Sequence, residues 1–404
     1  MTMHRLPFGL LVTILSLGSI FTLQAPGAFA RTITVRPVAG DPVRSGNRLW
    51  NQLAAISSPG VSNPFLLKIN AGVYDLGNRT LALRSYVDVE GSGEGVTILV
   101  STANANGTVA GADHCELRQV TVVNSGPTNA VAVRTLADNF SVRNVTAIAT
   151  GGTVSSTAIQ NHGLSTRITS VTAQAVGASA NAIHSRGGTM RDVRAMADGT
   201  GIVYAIFNAS SDGELVDVTA SAKSSDAFAG ALRNEAGAPT LRNLLLFASG
   251  GDIGDGVVNG GGSGARIFNA VIHAFGGTSF SNGIRNEFSS AVISGAEIHV
   301  ESDSTAYGIT NFFSGAPALS DVRIDVASGG SGIGIFADGA ANVTVDRSTV
   351  ESDGSSVETR DGAAVSIGAS RLIGGVLAGT GLIRCVVSYD GNFQELNSKC
   401  LPGP

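Results

Sequence analysis

The sequence has little charge and very little lysine. Of its 404 residues, 14% are Asp, Glu, Lys or Arg, against roughly 25% in an average globular protein. Only three residues are lysines, and the formal net charge is -5. No basic stripe is present that would neutralise phosphates, so nucleic acid is excluded as an expected partner. The scarcity of charge does not indicate disorder, because 43% of the residues are hydrophobic.

Proline and cysteine are also scarce, with 11 and 3 residues respectively, whereas glycine is abundant with 53 residues. The glycines follow no Gly-X-Y period, which excludes a collagen-like chain. A folded protein with many tight bends remains, because glycine tolerates the positive φ angles that such bends require.

A long hydrophobic run occurs near the N-terminus, between residues 8 and 23. Basic residues precede it, and Ala28-Phe29-Ala30 follows it directly before Arg31. This order is typical of a secretory signal peptide, so we expect residues 1–30 to be removed and the protein to be secreted, extracellular or periplasmic. A retained anchor is the alternative, although the run is short for a bilayer span of about 20 residues. After cleavage no membrane span is expected.

Two of the three cysteines lie near the C-terminus. A turn-like stretch, Tyr389-Asp390-Gly391-Asn392, separates Cys385 from Cys400, and we predict a disulfide between them. Residues 385–404 would then form a C-terminal tail behind a β-helix domain at residues 31–384. Cys115 occupies the repeat position that Phe140 takes one period later, which favours a buried, unreactive thiol.

An internal repeat runs through most of the chain. Its first column contains nine residues spaced 22 to 26 apart. They are Val145, Val171, Val193, Val218, Leu244, Ala270, Ala296, Val322 and Asp346. Each opens a short stretch of alternating apolar and polar residues, as in residues 322–326, which indicates a strand with one face towards an apolar core.

Two further columns accompany the first. The second is apolar: Ile159, Ile183, Ile206, Leu232, Val258, Ile284, Ile309 and Ile335. Two positions later stand Asn161, Ser185, Asn208, Asn234, Gly260, Asn286, Asn311 and Ala337. The third column directly precedes the first and contains Asn144, Ser170, Asp192, Asp217, Asn243, Asn269, Gly295 and Asp321. Asn and Asp at equal positions predict bends that recur once per period.

Two strands and two bends per period leave no room for a helix in each repeat, which argues against a leucine-rich horseshoe. The pattern favours an all-β fold, a right-handed parallel β-helix (solenoid) of about ten or more coils. Successive coils would stack at roughly 4.8 Å. Small inward residues would form apolar columns, and Asn side chains would hydrogen-bond along a column.

Both ends of such a stack need covering, because free strand edges recruit other chains. Near the N-terminus a short capping helix is predicted, with Asn47 as its N-cap and Leu49, Leu53 and Ile56 on one face. Near the C-terminus the period fades after about Gly375, where the disulfide-bonded tail replaces it.

The first coils resemble those of the pectate-lyase and pectin-esterase superfamily of right-handed β-helices. The matching segments are Ile69–Tyr74, Leu81–Leu83, Val87–Gly93 and Val96–Leu99. Later coils, such as Gly283–Asn286 and Leu319–Val322, resemble the degenerate β-helix repeat of bacterial secreted proteins. The resemblance covers nearly the whole mature chain and implies the fold. It does not imply one activity, because the superfamily includes lyases, hydrolases, esterases, phage tailspikes and surface proteins.

Catalytic signatures of these relatives are missing. The sequence has no G-x-V-D-F-I-F-G segment of pectin esterases, no W-x-D-H segment of pectate lyases, and no N-T-D-G segment of polygalacturonases. Asp252–Gly256 resembles part of the last motif, but a bend rich in Gly and Asp is the preferred interpretation. Whether the protein is an enzyme therefore stays open.

A ladder of charged residues is the first candidate site. Arg233-Asn234-Glu235 recurs 52 residues later as Arg285-Asn286-Glu287, with Gly260-Gly261-Gly262 between them. Two coil steps would place matching side chains roughly 10 Å apart across a glycine gap. Phe288, Phe312 and Phe313 follow closely and offer apolar faces for sugar rings.

Three interpretations of this ladder remain: surface ion pairs, sugar binding without chemistry, and acid–base catalysis on a polysaccharide. The candidate ligand-binding residues are Arg233, Glu235, Arg285, Glu287, Phe288 and Phe312. No catalytic residue is assigned.

The second ladder contains His273, His299 and Asp325, spaced by 26 residues on the outward side of consecutive strands. Two imidazoles and a carboxylate are possible metal ligands, but such residues on a solvated sheet face are usually ordinary surface residues. We therefore expect no metal and no cofactor.

The sequence favours a secreted β-helix protein that contacts glycans or has a structural or adhesive role at a surface. The alternative is a polysaccharide-degrading lyase or hydrolase. The expected partner is a polysaccharide or cell-surface glycan.

Overall fold

The computed structural model describes residues 31–209 and 212–403. The predicted signal peptide lies outside these residues. Within them, the chain folds into an all-β parallel solenoid of about 12 turns with one short N-terminal helix, which confirms the predicted fold class.

One helix and 32 strands make up the described chain. The helix α1 spans Pro42–Ala55, and the strands are β1 Arg31–Val35, β2 Phe65–Ile69, β3 Gly72–Asp75, β4 Leu81–Ala82, β5 Val87–Glu90, β6 Thr97–Ser101, β7 Val109–Ala110, β8 Cys115–Asn124, β9 Asn129–Thr135, β10 Phe140–Gly152, β11 Ser155–Asn161, β12 Arg167–Gly177, β13 Ala180–Ser185, β14 Thr189–Gly199, β15 Val203–Ala209, β16 Glu214–Ser224, β17 Phe228–Glu235, β18 Thr240–Ser249, β19 Ile253–Gly260, β20 Arg266–Phe275, β21 Phe280–Glu287, β22 Val292–Ser294, β23 Glu297–Ser302, β24 Thr305–Phe312, β25 Ala318–Ser320, β26 Arg323–Ser328, β27 Ser331–Ala337, β28 Asn342–Asp346, β29 Thr349–Thr359, β30 Ala364–Gly368, β31 Arg371–Ala378 and β32 Leu382–Val386.

Away from the two ends of the stack, each strand pairs in parallel with the equivalent strands of the coil before and the coil after, as β10 pairs with β8 and β12. We use the name ladder 1 for the stack of β9, β11, β13, β15, β17, β19, β21, β24 and β27. The stack that contains residues 141–143, 266–268, β22, β25 and β28 is ladder 2. The stack that contains residues 145–149, 271–275, β23 and β26 is ladder 3.

The predicted Asx column forms a bend inside the long strands. Asn144 interrupts β10 with a φ of 51°, and Asp217 interrupts β16 with a φ of 56°. Asn and Asp tolerate this left-handed conformation better than most residues. The bend divides each long strand into two runs that belong to different ladders, which confirms the column as a recurring turn.

The core is a column of small side chains inside the coils. Val145, Ala147 and Ala149 are buried as predicted. Two residues of the predicted columns, Val258 and Asp346, are not in the predicted register. Leu232 pairs with Val257 rather than Val258. Ser348 rather than Asp346 aligns with Val322, because the next residues, Arg323 and Thr349, are paired.

A ladder of asparagines lines the same core. The five amides form a continuous chain in which each Nδ2 donates to the Oδ1 of the next, over distances of 2.8 to 3.2 Å. The members are Asn208, Asn234, Asn259, Asn286 and Asn311. Asn259 takes the place that the sequence pattern assigned to Gly260. Because the amides satisfy one another, these buried polar groups are retained in an apolar core.

The capping helix is present, but its N-cap is not Asn47. Asp41 caps the helix by accepting a hydrogen bond from the backbone N–H of Arg44 at 2.9 Å, and Pro42 follows it, where a missing N–H costs nothing. Leu49 and Leu53 are buried against the first coil, as predicted.

The C-terminal disulfide between Cys385 and Cys400 is confirmed. Strand pairing continues past Gly375 to Val386 at the end of β32, so the solenoid extends slightly into the predicted tail. Cys115 is buried, pairs in register with Phe140, and has a pKa raised to about 12 by burial, in agreement with an unreactive thiol. Among the described residues, no helix is long and apolar enough to cross a bilayer.

Candidate functional site

The candidate site lies on the outward side of ladder 1. Along each strand of this ladder, inward residues such as Ile284 and Asn286 alternate with outward residues such as Arg285. Equal positions in successive coils therefore place outward side chains in columns along the solenoid axis. In one column Phe207, Arg233, Val258 and Arg285 follow one another.

Aromatic rings fill much of this outward side. We use the name aromatic strip for the rings of His184, Phe207, Tyr204, Phe228, Phe280, Tyr307, Phe336, Phe312, Phe313 and Phe288. Neighbouring rings contact each other with centroid distances of 4.2 to 6.4 Å, except between Phe228 and Phe280. There Ile253 stands in register between the two. The strip crosses seven coils, or about 30 Å along the axis.

Arg233 is held against the first part of the strip. Its guanidinium lies over the rings of Tyr204 and Phe207, at 5.7 and 5.5 Å from their centroids. Nη1 donates to the Tyr204 hydroxyl at 2.9 Å, and Nη2 donates to Oε1 of Glu235 at 3.1 Å. These contacts fix the guanidinium on the strip and direct one edge towards Glu235.

Arg285 is held by a buried carboxylate. Its Nε lies 3.0 Å from Oδ2 of Asp255, whose side chain has 0% accessible surface, and the guanidinium lies over the ring of Phe228. Asn282 donates to the other oxygen of Asp255 at 2.7 Å. Burial raises the pKa of Asp255 to about 6, against the opposing effects of Arg285 and the Asn282 hydrogen bond.

Several polar atoms in this cluster lack a hydrogen bond. They are Oδ2 of Asp255, Nε of Arg285, Nε of Arg233 and Oγ1 of Thr310. The Arg285 and Asp255 atoms are in ion-pair contact, but the N–H group is not directed at the oxygen. A buried polar group without a hydrogen bond lowers the free energy of unfolding.

The structure brings the residues of the predicted charged ladder together, but the segment between its two copies differs from the predicted one. Glu235 pairs in register with Gly260, and Glu287 follows the paired Asn259–Asn286 position, so a glycine separates the two carboxylates. The segment between the two arginines is Val258-Asn259-Gly260 rather than Gly260–Gly262. Glu287 also lies near Arg285, with Oε1 3.5 Å from Nε.

Phe288 and Phe313 form an exposed pair beside Glu287. Their rings stack at 4.2 Å with an interplanar angle of 5°, and the two residues are 54% and 50% exposed. Phe312, which pairs in register with Glu287, turns towards Phe336 instead and contacts it at 5.8 Å. The exposed partner of Phe288 is therefore Phe313, which lay outside the predicted binding set.

Sequence reasoning missed Asp255, Tyr204 and Phe228 as parts of the site. Asp255 stands in the Gly- and Asp-rich stretch that the pattern assigned to a bend, yet it lies inside β19. A signal was available, because Asp255 precedes the ladder Asn259 by four residues, just as Asn282 precedes Asn286. The one-residue misalignment of this coil concealed it.

The histidine ladder lies on the outward side of ladder 3, away from the aromatic strip. His273 stacks on Phe247 and on His299, at centroid distances of 5.2 and 5.1 Å. His299 places Nε2 3.1 Å from Glu297 and Nδ1 3.7 Å from Asp325. Within the described chain, no group of three His, Cys, Asp or Glu side chains is arranged to hold a metal ion.

Comparisons with known proteins identify the fold but no sequence family. No protein-family model matches the sequence, and no curated protein sequence matches it. Solved structures do match. A double mutant of the tailspike protein of E. coli bacteriophage HK620, in complex with a pentasaccharide, is 12% identical, with 88% of this chain and 78% of the tailspike chain covered and a TM-score of 0.50.

Two bacterial proteins match over similar lengths. The DFA-IIIase of Arthrobacter chlorophenolicus A6 is 13% identical, with 88% of this chain and 98% of its own covered and a TM-score of 0.46. The A-module of a mannuronan C-5 epimerase of Azotobacter vinelandii is 15% identical, with 86% and 97% covered and a TM-score of 0.41. At these identities the likeness shows the fold alone: the chain is a parallel β-helix.

Proposed function

We propose that this is a secreted protein that binds a linear polysaccharide along the aromatic strip, in a structural or adhesive role rather than a catalytic one. The observation that carries the proposal is the strip itself, a nearly unbroken line of ring contacts along the solenoid axis. The signal-peptide pattern and the disulfide support secretion, because disulfides persist in oxidising compartments.

The rings of the strip are suited to sugar binding because most of them remain accessible. Tyr204, Phe207, Phe280 and Tyr307 are half-buried, so each is held by neighbours while part of its surface faces solvent. Flat apolar rings contact the C–H faces of sugars, and rigid rings lose little conformational entropy when they bind. A line of such rings matches a linear chain better than a small molecule.

Polar groups that hydrogen-bond hydroxyls lie beside the rings. Arg233 and Arg285 are fixed on the strip by Tyr204 and Asp255, and Glu235 and Glu287 lie next to them. Pre-positioned charged groups bind hydroxyls without a large ordering cost. The combination of apolar faces and fixed polar groups is typical of small-molecule and sugar sites.

Glycoside hydrolysis is the second candidate function, because two carboxylates flank a glycine gap. Two coil rises separate Glu235 from Glu287, or about 10 Å, against roughly 6.5 to 9.5 Å between the carboxyl groups of inverting glycosidases. Each of the two is paired with an arginine, and Asp255 is fully enclosed and does not reach a substrate. The geometry therefore favours binding.

The proposal is tested by affinity gel electrophoresis of the purified protein against a panel of neutral and acidic polysaccharides. We expect at least one polysaccharide to retard the wild-type protein, and Tyr307→Ala to weaken that binding about tenfold, the equivalent of about 1.4 kcal/mol. Tyr307 contacts Phe280 in the preceding coil and Phe336 in the following coil, so it links two rings of the strip.

Phe247→Ala is the matched control, because Phe247 is a half-buried ring on the outward side of ladder 3. It should bind like the wild type. The same panel is assayed for new reducing ends and for the absorbance of unsaturated uronates. If the wild-type protein forms reaction product and Glu287→Gln does not, catalysis would replace the binding proposal. If Phe247→Ala loses as much affinity as Tyr307→Ala, the strip is not the binding surface.

A further inference from the structure

A column of left-handed residues runs beside Glu235 and Glu287. After the ladder 1 strands β17, β19, β21, β24 and β27, the chain turns through one residue with φ between 53° and 70°. In successive coils these residues are Ala236, Gly261, Phe288, Phe313 and Gly339. One position in the turn thus carries two large aromatic side chains between glycines.

Phenylalanine is a poor choice for this conformation. A non-glycine residue in the left-handed region costs roughly 1–2 kcal/mol, and neighbouring coils make the same turn with Gly or Ala. Burial does not offset the cost, because about half of each ring remains exposed. Strain of this kind is retained mainly at functional positions.

The glycines leave the outer face of the pair open. Phe288 and Phe313 stack on each other, so the remaining face of Phe288 points to the coil of Gly261, which has no side chain. A Cβ on Gly262 would have no heavy atom within 4 Å, whereas a Cβ on Gly261 would lie 3.3 Å from the backbone nitrogen of Ala236, so the preceding coil closes the far side of the gap. One coil rise of roughly 4.8 Å is similar to the 4.2 Å between the two stacked rings, so the gap accepts one more ring.

Carboxylates border this gap on both sides. Cγ of Glu235 lies 3.5 Å from the place of a Cβ on Gly261, and Oε2 of Glu287 lies 3.9 Å from the place of a Cβ on Gly260. With Asp255, three carboxylates accompany Arg233 and Arg285. A negatively charged guest is disfavoured here, whereas hydroxyl groups find acceptors.

We propose that the gap over Gly261 is a subsite for one uncharged sugar ring. The ring stacks on Phe288, and its hydroxyl groups donate hydrogen bonds to Glu235 and Glu287. This proposal rests on the proposed polysaccharide binding and adds the substrate class: a neutral glycan, not a uronate.

The test fills the gap with a side chain. Gly261→Phe places a third ring in the column at a φ that Phe288 and Phe313 already adopt, and it should reduce affinity for a neutral polysaccharide at least tenfold. Gly77→Phe is the matched control, because Gly77 is exposed with a φ of 63° and open surroundings far from the strip in sequence. Phe288→Asn removes the stacking ring with a residue that tolerates positive φ, and it should lose affinity to a similar degree.

Affinities are measured by electrophoresis in gels that contain glucomannan, galactan, dextran, alginate or polygalacturonate, and circular dichroism confirms folding. The subsite is supported if a neutral polymer retards the wild-type protein and Gly77→Phe, but no longer retards Gly261→Phe or Phe288→Asn. Unchanged affinity in both strip-side variants overturns the subsite but leaves polysaccharide binding intact. Retardation by uronates alone overturns the assignment to neutral glycans, and no retardation by any polymer overturns the proposed function itself.

Discussion

Asp255 stands at an outward position of its strand and yet has no accessible surface. Residues of the two adjacent coils surround it: Phe228 from the preceding coil contacts the same arginine that pairs with Asp255, and Asn282 and Arg285 come from the following coil. The carboxylate therefore acts on the surface only through Arg285. It positions the guanidinium of Arg285, and the protonation state of Asp255 determines the strength of this ion pair.

The pKa of Asp255 predicts a dependence of stability on pH. Burial raises the pKa to about 6 in the folded protein, whereas an unfolded Asp titrates near about 3.9. Between these values the folded state binds more protons than the unfolded state, so the contribution of Asp255 to the free energy of unfolding decreases as pH rises from about 4 to 6. Asp255→Asn should remove this decrease, which urea unfolding at several pH values measures.

Asp303→Asn serves as the comparison, since Asp303 is an exposed aspartate on another bend. Its unfolding free energy should follow the wild-type pH profile. A profile of Asp255→Asn that parallels the wild type from pH 4 to 6 would contradict the raised pKa.

Glycines of ladder 1 make room for isoleucines of ladder 3 inside the later coils. The pairs are Gly256 with Ile272, Gly283 with Ile298 and Gly308 with Ile324, and in each a Cβ on the glycine would lie 2.2 Å from Cγ2 of the isoleucine. The tube keeps its cross-section because one strand provides the space that the other fills.

This arrangement predicts coupling between the two strands. Gly283→Ala should destabilise the protein by about 1–3 kcal/mol through overpacking, and Ile298→Ala by about 2–5 kcal/mol through a cavity. The double variant should be less destabilised than the sum of the two, because the new methyl group occupies part of the cavity. Thermal unfolding of the wild type, the two single variants and the double variant gives the coupling energy. If the double variant is destabilised by as much as the sum of the two single variants, or by more, the nearby carbonyl of Gly308, not Ile298, limits the space.

Individual elements differ in how well the sequence predicts them. Columns of Val and Asn spaced by about one period predicted the strands, the bends and the Asn ladder, because each column repeats the same physical requirement in every coil. The predicted register of β19 was wrong because Val257 and Val258 are both apolar, so two registers satisfy the pattern equally well. Likewise, Asp41 and Asn47 are both good N-caps, and Pro42 was the feature that distinguished them.

The candidate site was less predictable than the fold. The Arg–Glu repeat and the glycine between its copies were visible, since they recur at a fixed spacing. The Asp255–Arg285 pair and the aromatic strip depend on contacts between outward side chains of different coils, which change completely with a register error of one residue. Phe313 was passed over for Phe312 because nothing in the pattern shows which of two adjacent rings turns outward.

Over the whole molecule, stability is nearly one-dimensional, because each coil contacts chiefly its two neighbours. Within the described chain, the last strands β31 and β32 have a strand partner on one side, and on the other side β31 has only an isolated bridge between Arg371 and Tyr389. The disulfide between Cys385 and Cys400 ties the tail across this end, with Leu396 and Cys400 buried beneath it. A covalent link is most effective here, where one neighbour is missing.

Removal of the disulfide should therefore have a local effect. For a sequence separation of 15 residues, chain entropy predicts a loss of about 3 kcal/mol, which falls on the end of the solenoid. In the Cys385→Ser, Cys400→Ser variant, hydrogen exchange monitored by mass spectrometry should accelerate over residues 382–403 and remain unchanged over residues 267–346. Equal acceleration in both regions would show that the coils unfold as a single unit.

The parallel ladders also determine how the molecule responds to force. Their backbone hydrogen bonds point from coil to coil, along the axis, so tension applied between the two ends loads them one coil at a time, as in unzipping. Tension applied across the axis loads many of them together in shear. A solenoid of this kind resists force across its axis much more than force that unwinds it from one end. The disulfide at the C-terminal end therefore delays unwinding from that end.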